Sequence, residues 1–214
     1  MSCIIHPARR TQPIADPLAL LRREAANRAF RPHGTVRCVG EPLYRTQAAR
    51  DLACLLDVDP TVVSWTCLPC LMESGVGKPH VPDFAVTRAD GVTLTDIGEE
   101  GSTDEPDWIA DAAHDHGHRY EHLQATQLRE GFRLENARDL LRYASFRAPL
   151  GDRVRLLAVI DDNGPLPLAH CMQIVRMGTD PIAVIASLIL RRFLSVDLDE
   201  ARIGPDTRVF RFRD

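Results

Sequence analysis

The chain has 214 residues, with 26 Lys+Arg against 30 Asp+Glu, a formal charge of -4 and 44% hydrophobic residues. That length supports one good core or two small ones, and the composition is that of a globular protein, neither fibrous nor disordered. No apolar run reaches the roughly 18 residues needed to span a bilayer. The first residues contain no apolar stretch of the secretory kind. Six cysteines (Cys3, Cys38, Cys54, Cys67, Cys70, Cys171) are scattered without a disulfide framework, so the sequence reads as a cytoplasmic protein with free thiols.

The charge is uneven. Residues 1–82 carry 10 basic and 7 acidic side chains, residues 83–128 carry 2 and 11, and residues 129–214 carry 14 and 12. An acidic middle repels phosphate unless cations sit in it, whereas the basic flanks attract it. Lys78 is the single lysine; the other 25 basic residues are arginine.

In chain order, Asp16-Pro17 is a helix start, and Leu18–Phe30 places Leu18, Leu21, Ala25 and Ala29 on one face. Pro42–Leu56 repeats the helical pattern. Val62–Leu68 and Val81–Val86 have strand composition, and Gly91–Ile97 alternates with period 2. Short helices follow over Glu105–Ala113 and Glu135–Phe146. Beyond a boundary between Phe146 and Gly151, three helical candidates (Leu150–Ile160, Leu166–Val175, Asp180–Phe193) precede two strands, Leu194–Leu198 and Arg208–Phe212. That order suggests a winged helix-turn-helix. Trp65 and Trp108 are expected in the core.

The stretch HVPDFAVTRADGVTLTDIGEE (80–100) carries the most chemistry. Asp90-Gly91 signals a turn between its two strands. If residues 88–91 make the loop, Asp83 lies opposite Asp96; if Asp90-Gly91 alone turns, Asp83 faces Gly98. Either way Asp83, Asp96 and position 98 share a face. Two carboxylates about 5 Å apart across strands repel unless a cation or a proton intervenes. Mg²⁺ or Mn²⁺ between them would suit phosphodiester cleavage. Solvation of Asp96 and backbone bonding of Asp83 is the plainer alternative.

The PDF motif at Pro82–Phe84, the strand pair, the preceding LLDVDPTVVSW (55–65) and the later segment reaching Asn136 before a helix resemble the TnsA-type transposon endonucleases of the PD-(D/E)xK nuclease superfamily. The resemblance runs from about Tyr44 to the end of the chain. It implies an α/β fold, a restriction-endonuclease-like mixed sheet flanked by helices, followed by a winged helix-turn-helix domain. The implied division is a helical extension (1–40), a nuclease-fold domain (41–148) and a winged-helix domain (149–214). Residue by residue, the family's aspartate falls on Asp83, its helical glutamate on Ala49, and its (E/Q)-x-K on Asp96-Ile97-Gly98. Glycine cannot orient a water or stabilise charge, and Lys78 is about 16 Å along the chain from Asp83. Glu41, Glu99 and Glu100 are the nearest possible replacements for the glutamate.

The expected function is therefore a DNA- or protein-binding adaptor of a mobile-element or DNA-processing system that has lost cleavage and requires no cofactor. The alternative is an active endonuclease using Mg²⁺ or Mn²⁺ at Asp83 and Asp96. Arg22, Arg23, Arg28 and Arg31, with Arg9 and Arg10 before them and Arg191 and Arg192 near the end, are the candidate phosphate contacts. The helix from Asp180 offers Ile182, Ala183, Ala186 and Ser187 in place of base-reading side chains. Residues 149–214 are thus read as docking onto a transposase, an ATPase regulator or a second copy, unless that helix is simply core. Cys67-x-x-Cys70 lacks a second pair for zinc. His118 and Glu121-His122 match an inverted zinc-protease pattern only if they lie on a helix. The histidines 114, 116, 118 and 122 would make the acidic middle pH-sensitive if one paired with Asp115 or Glu121.

Overall fold

Residues 16–73, 79–98 and 108–213 are described by the computed structural model. Asp16 accepts the Leu18 N–H at 3.0 Å and Pro17 fills the first turn, which starts α1 (Pro17–Ala26). The chain leaves the helix at Asn27, four residues before the expected end. Phe30 then packs edge-on against Tyr44, ring centroids 6.5 Å apart.

The second helix, α2 (Gln47–Val58), begins where the Thr46 hydroxyl accepts the Ala49 N–H at 3.1 Å. Pro42–Arg45, expected to be helical, precede that cap. Three strands follow, β1 (Val62–Cys67), β2 (Phe84–Arg88) and β3 (Gly91–Gly98), antiparallel in sequence order. Then α3 (Trp108–Asp115) leads to β4 (Arg119–Gln124), which pairs parallel with β3. The result is a four-stranded mixed sheet of order β1-β2-β3-β4 flanked by helices. Alternation along the strands divides its faces. Trp65, Phe84, Val86 and Ile97 pack with Ala48, Ala49, Leu52 and Leu56 of α2; Leu94 packs with Ile109 and Ala113 of α3. Trp65 is fully buried and its indole N–H reaches Asp57 at 3.1 Å.

The remaining elements are α4 (Arg133–Leu141), α5 (Leu150–Asn163), β5 (Leu166–Pro167), α6 (Leu168–Ile174), α7 (Pro181–Leu190), β6 (Leu194–Val196) and β7 (Arg208–Arg211). Three helices thus adjoin a three-stranded sheet of order β5-β7-β6. Leu166 and Pro167, read from sequence as helix, pair with β7 instead; a proline this early can only start α6, not lie within it. None of the described helices is long and apolar enough to cross a membrane.

The C-terminal elements are locked to the rest. Leu134, Leu140 and Leu141 of α4 share a core with Ala186, Leu190 and Leu198. Asn136 donates to Leu198 O and Ala201 O at 2.9 and 2.8 Å and accepts from Ile203 N at 2.9 Å. Arg133 grips Asp199 through two bonds of 2.8 and 2.9 Å. The loop between β6 and β7 is strapped to α4 in this way. Helix α7 is buried on both sides, with Ala183 and Ala186 2% and 3% exposed and Ser187 fully buried. For Ala183, Ala186 and Ser187 the expectation of a partner-facing surface is corrected, since an apolar helix wedged between two cores is core; Ile182, at the start of the helix, is 44% exposed.

Asp152 of α5 is fully buried and takes the N–H groups of Arg176, Met177 and Gly178 at 2.7 to 3.2 Å, closing the turn before α7. Burial alone would raise its carboxyl; these donors and Arg155 outweigh it and hold the group below the ordinary range. Asp152→Asn is therefore expected to cost about 2 kcal/mol at neutral pH. Because the folded-state value is depressed, that deficit should shrink as pH falls through the carboxylate range. Chemical denaturation at pH 7 and pH 3 measures both.

Candidate functional site

The hairpin fixes the register. Arg88 pairs with Gly91, Thr87 with Val92 and Phe84 with Thr95, which sets Asp83, just before β2, opposite Asp96 on β3. Ala89-Asp90 makes the turn, one residue earlier than the Asp90-Gly91 signal. Both carboxylates are only 5% exposed.

Their repulsion is relieved by an arginine that the sequence reading did not single out. Arg45 donates from Nε to Asp83 Oδ1 at 2.8 Å and from Nη2 to Asp96 Oδ1 at 3.2 Å. One guanidinium thus lies across both aspartates. The remaining oxygens are also occupied. Asp83 Oδ2 accepts Ile97 N–H at 3.1 Å, and Asp96 Oδ1 accepts Asp83 N–H at 3.0 Å. Asp96 Oδ2 meets His80 Nε2 at 2.6 Å and the Tyr120 hydroxyl at 2.9 Å. An ionised carboxylate can only accept, so His80 and Tyr120 are the donors.

Local structure explains each position. Thr46 caps α2, so Arg45 sits just outside the helix with its backbone free to turn toward the sheet. Arg28 donates to the Arg45 carbonyl. Leu68, at a positive φ of 46°, donates its N–H to Asp83 O at 2.9 Å, and Arg22 clasps Leu68 O from Nη2 at 2.8 Å. His80 is set by paired backbone bonds to Met72 of 2.7 and 2.8 Å. Burial pushes the Asp83 carboxyl above its ordinary range, and Arg45 pulls it back only in part. Burial would lower Arg45, but Asp83 and Asp96 together more than reverse that, so its charge is secure.

The other positions that the resemblance singled out carry different chemistry. Ala49 is 1% exposed within the main core. The two carboxylates of α2 point elsewhere: Asp51 pairs with Arg138 at 2.5 Å, and Asp57 receives Thr35, Val36 and Arg37. A Cβ built on Gly98 would lie 2.7 Å from His122 Nε2 and 2.8 Å from its Cε1. The imidazole from β4 already occupies the space a side chain at 98 would need. Glu41 is exposed and shares a hollow with Arg22 and Arg23; Lys78, Glu99, Glu100, Arg9 and Arg10 lie outside the described residues.

The aspartates do not fit a divalent ion as they stand. Every carboxylate oxygen faces a donor, the site between them holds a guanidinium, and no group of three ligating side chains suited to a metal occurs among the described residues. His118 and His122 lie before and on a strand, which removes the helical zinc pattern. Cys67 is buried and Cys70 partly so; they and Cys38, Cys54 and Cys171 are unpaired thiols.

Of the candidate phosphate contacts, Arg22 and Arg28 hold carbonyls near the carboxylates, as above. Arg191 donates to Ala144 O at 2.9 Å and Arg192 to Asp59 O and Val62 O at 2.8 and 2.5 Å. These four are employed as internal staples. Arg23 is exposed on α1, and Arg31 lines a separate cleft.

Arg45→Met removes the charge while keeping much of the volume. With Arg45 side chain 30% exposed, the loss should fall at the low end for a broken buried pair, about 3 kcal/mol at pH 7. The Asp83 value, already raised, rises further without the arginine. The deficit should therefore be largest at neutral pH and fade as pH drops and Asp83 protonates in the folded state. Urea melts of both proteins at pH 7 and pH 4.5 test this. Searches against protein-family models and against curated proteins find no match for this chain.

Proposed function

We propose that the chain is a non-catalytic adaptor, binding DNA or partner proteins in a mobile-element or DNA-processing system, on a nuclease-like α/β scaffold whose metal position is taken by Arg45. The order α2-β1-β2-β3-α3-β4, with an antiparallel meander and a parallel fourth strand, supports a restriction-endonuclease-like scaffold. The three helices and small sheet after residue 149 support the winged-helix reading, with α7 in the place of a recognition helix.

The observation that carries the proposal is the guanidinium spanning Asp83 and Asp96. A hydrolytic centre of this kind needs a Lewis acid, a group to orient water and a third carboxylate. Here a fixed monocation replaces the first, His122 fills the space beside Gly98, and Ala49 offers nothing for the third. An arginine stabilises two carboxylates permanently but binds no water for attack. Such a site accounts for a stable pairing of the two central strands, not for turnover.

Burial of α7 leaves direct base readout by that helix without side chains to perform it. The most exposed apolar residues in this region are Leu150, Val154 and Met177, 63%, 58% and 64% exposed, with Ile182 at the start of α7 at 44%. They support the protein-facing half of the reading.

Two linked measurements test the proposal. In plasmid nicking with Mg²⁺ or Mn²⁺, the wild type should leave supercoiled DNA intact, and Asp83→Ala should behave identically. In isothermal titration with Mn²⁺, the wild type should show no heat of binding, whereas Arg45→Ala should gain a weak site. Wild-type cleavage that Asp83→Ala abolishes would establish the active-endonuclease alternative.

A further inference from the structure

The seam between residues 31–37 and the segment from Arg138 to Arg147 collects cations that the carboxylate site does not use. Gly34 makes the tight contact there: a Cβ on it would lie 2.6 Å from Ala144 Cβ and 2.8 Å from Leu141 O. On one side of this contact opens a cleft of about 890 Å³, with Arg31, His33, Arg138 and Arg142 in its walls. On the other lies a smaller hollow of about 320 Å³ whose walls include Arg37, Arg147 and Arg191. Among the described residues Asp139 is the one acid lining either.

The cations fall into two sets. Arg138 is bonded to Asp51, Arg37 to Leu190 O and Arg191 to Ala144 O, so they form a fixed floor. Arg31, His33, Arg142 and Arg147 are exposed. Arg142 keeps 71% of its side chain accessible, 3.9 Å from Asp139. In a chain of net charge -4 this is a local reversal of sign.

We infer that this seam binds the phosphodiester backbone of nucleic acid without reading its bases, an inference that rests on the adaptor reading above. A single phosphoryl group is satisfied by two or three donors, whereas cations spread over two adjoining hollows match successive phosphates. No Phe, Tyr or Trp is among the residues lining either hollow, so there is no platform on which a base could stack. A floor held by internal bonds keeps the exposed arginines in place and lowers the ordering cost of binding.

Fluorescence anisotropy with a labelled DNA of about 20 base pairs, and with one of its single strands, tests this between about 50 and 200 mM NaCl. The double variant Arg31→Glu, Arg142→Glu is compared with the charge-matched Arg176→Glu, Arg208→Glu, whose side chains are exposed and line neither hollow, both first checked for native melting. Wild-type affinity should fall with salt, and the seam variant should bind roughly ten-fold or more weakly with a log–log salt slope shallower by about 2. The control should weaken by less than about 3-fold. Equal weakening of both variants would overturn the seam while leaving a DNA-binding adaptor intact; absence of wild-type binding at the lowest salt would overturn both the seam and the DNA half of the function.

Discussion

A guanidinium held between two buried aspartates is the interaction on which the rest of this sheet depends. Asp83 and Asp96 are opposite each other across β2 and β3, 5% exposed, and each is also bonded to the other's strand. Two ionised carboxylates so placed are tolerable only beside a positive charge. Arg45 supplies it from outside the N-terminus of α2, and the surroundings hold it there. Arg28 fixes its carbonyl, Thr46 ends the helix behind it, and Arg22 secures the strained Leu68 whose N–H binds Asp83 O. Arg45 alone touches the pair of acids, and Arg22 and Arg28 brace it through carbonyls.

The same economy operates elsewhere in the molecule. With one lysine against 25 arginines, the chain uses the planar, multi-donor guanidinium as its structural fastener. Arg50 is fully buried, bonds Pro32 O and Gly34 O at 2.7 Å each and lies 5.1 Å from the Tyr44 ring centroid. Arg192 joins the end of the last helix to the first half of the chain through Asp59 O and Val62 O, Arg191 joins it to Ala144 O after α4, and Arg133 clamps the loop after β6. These bonds, with the core that α4 shares with α7, make the C-terminal elements part of one interlocked body.

How much of this could be read from sequence follows from what each feature depends on. Strand alternation is local, and it correctly put Asp83 and Asp96 on one face in either register and directly opposite each other in one of the two. Ala49 and Gly98 drew notice only through the resemblance, which expects a glutamate and a lysine there; alternation says nothing of them. Arg45 was not, because Pro42–Leu56 reads as one amphipathic run and places it inside a helix; the signal that could have found it is Thr46, a preferred cap with Arg just before it. Helix α7 is apolar all round, and periodicity alone cannot tell a buried helix from an exposed docking face. Arginine content showed that cations were plentiful, but only tertiary approach decides which meet carbonyls, which meet carboxylates and which, like Arg31 and Arg142, remain open.

The central claim is that Arg45 holds the position a metal ion would take. Anomalous diffraction from wild-type crystals soaked in Mn²⁺ examines that position directly. The account predicts no anomalous peak between Asp83 and Asp96, with the Arg45 guanidinium in density there; a Mn²⁺ peak coordinated by both aspartates, with Arg45 displaced, would contradict it.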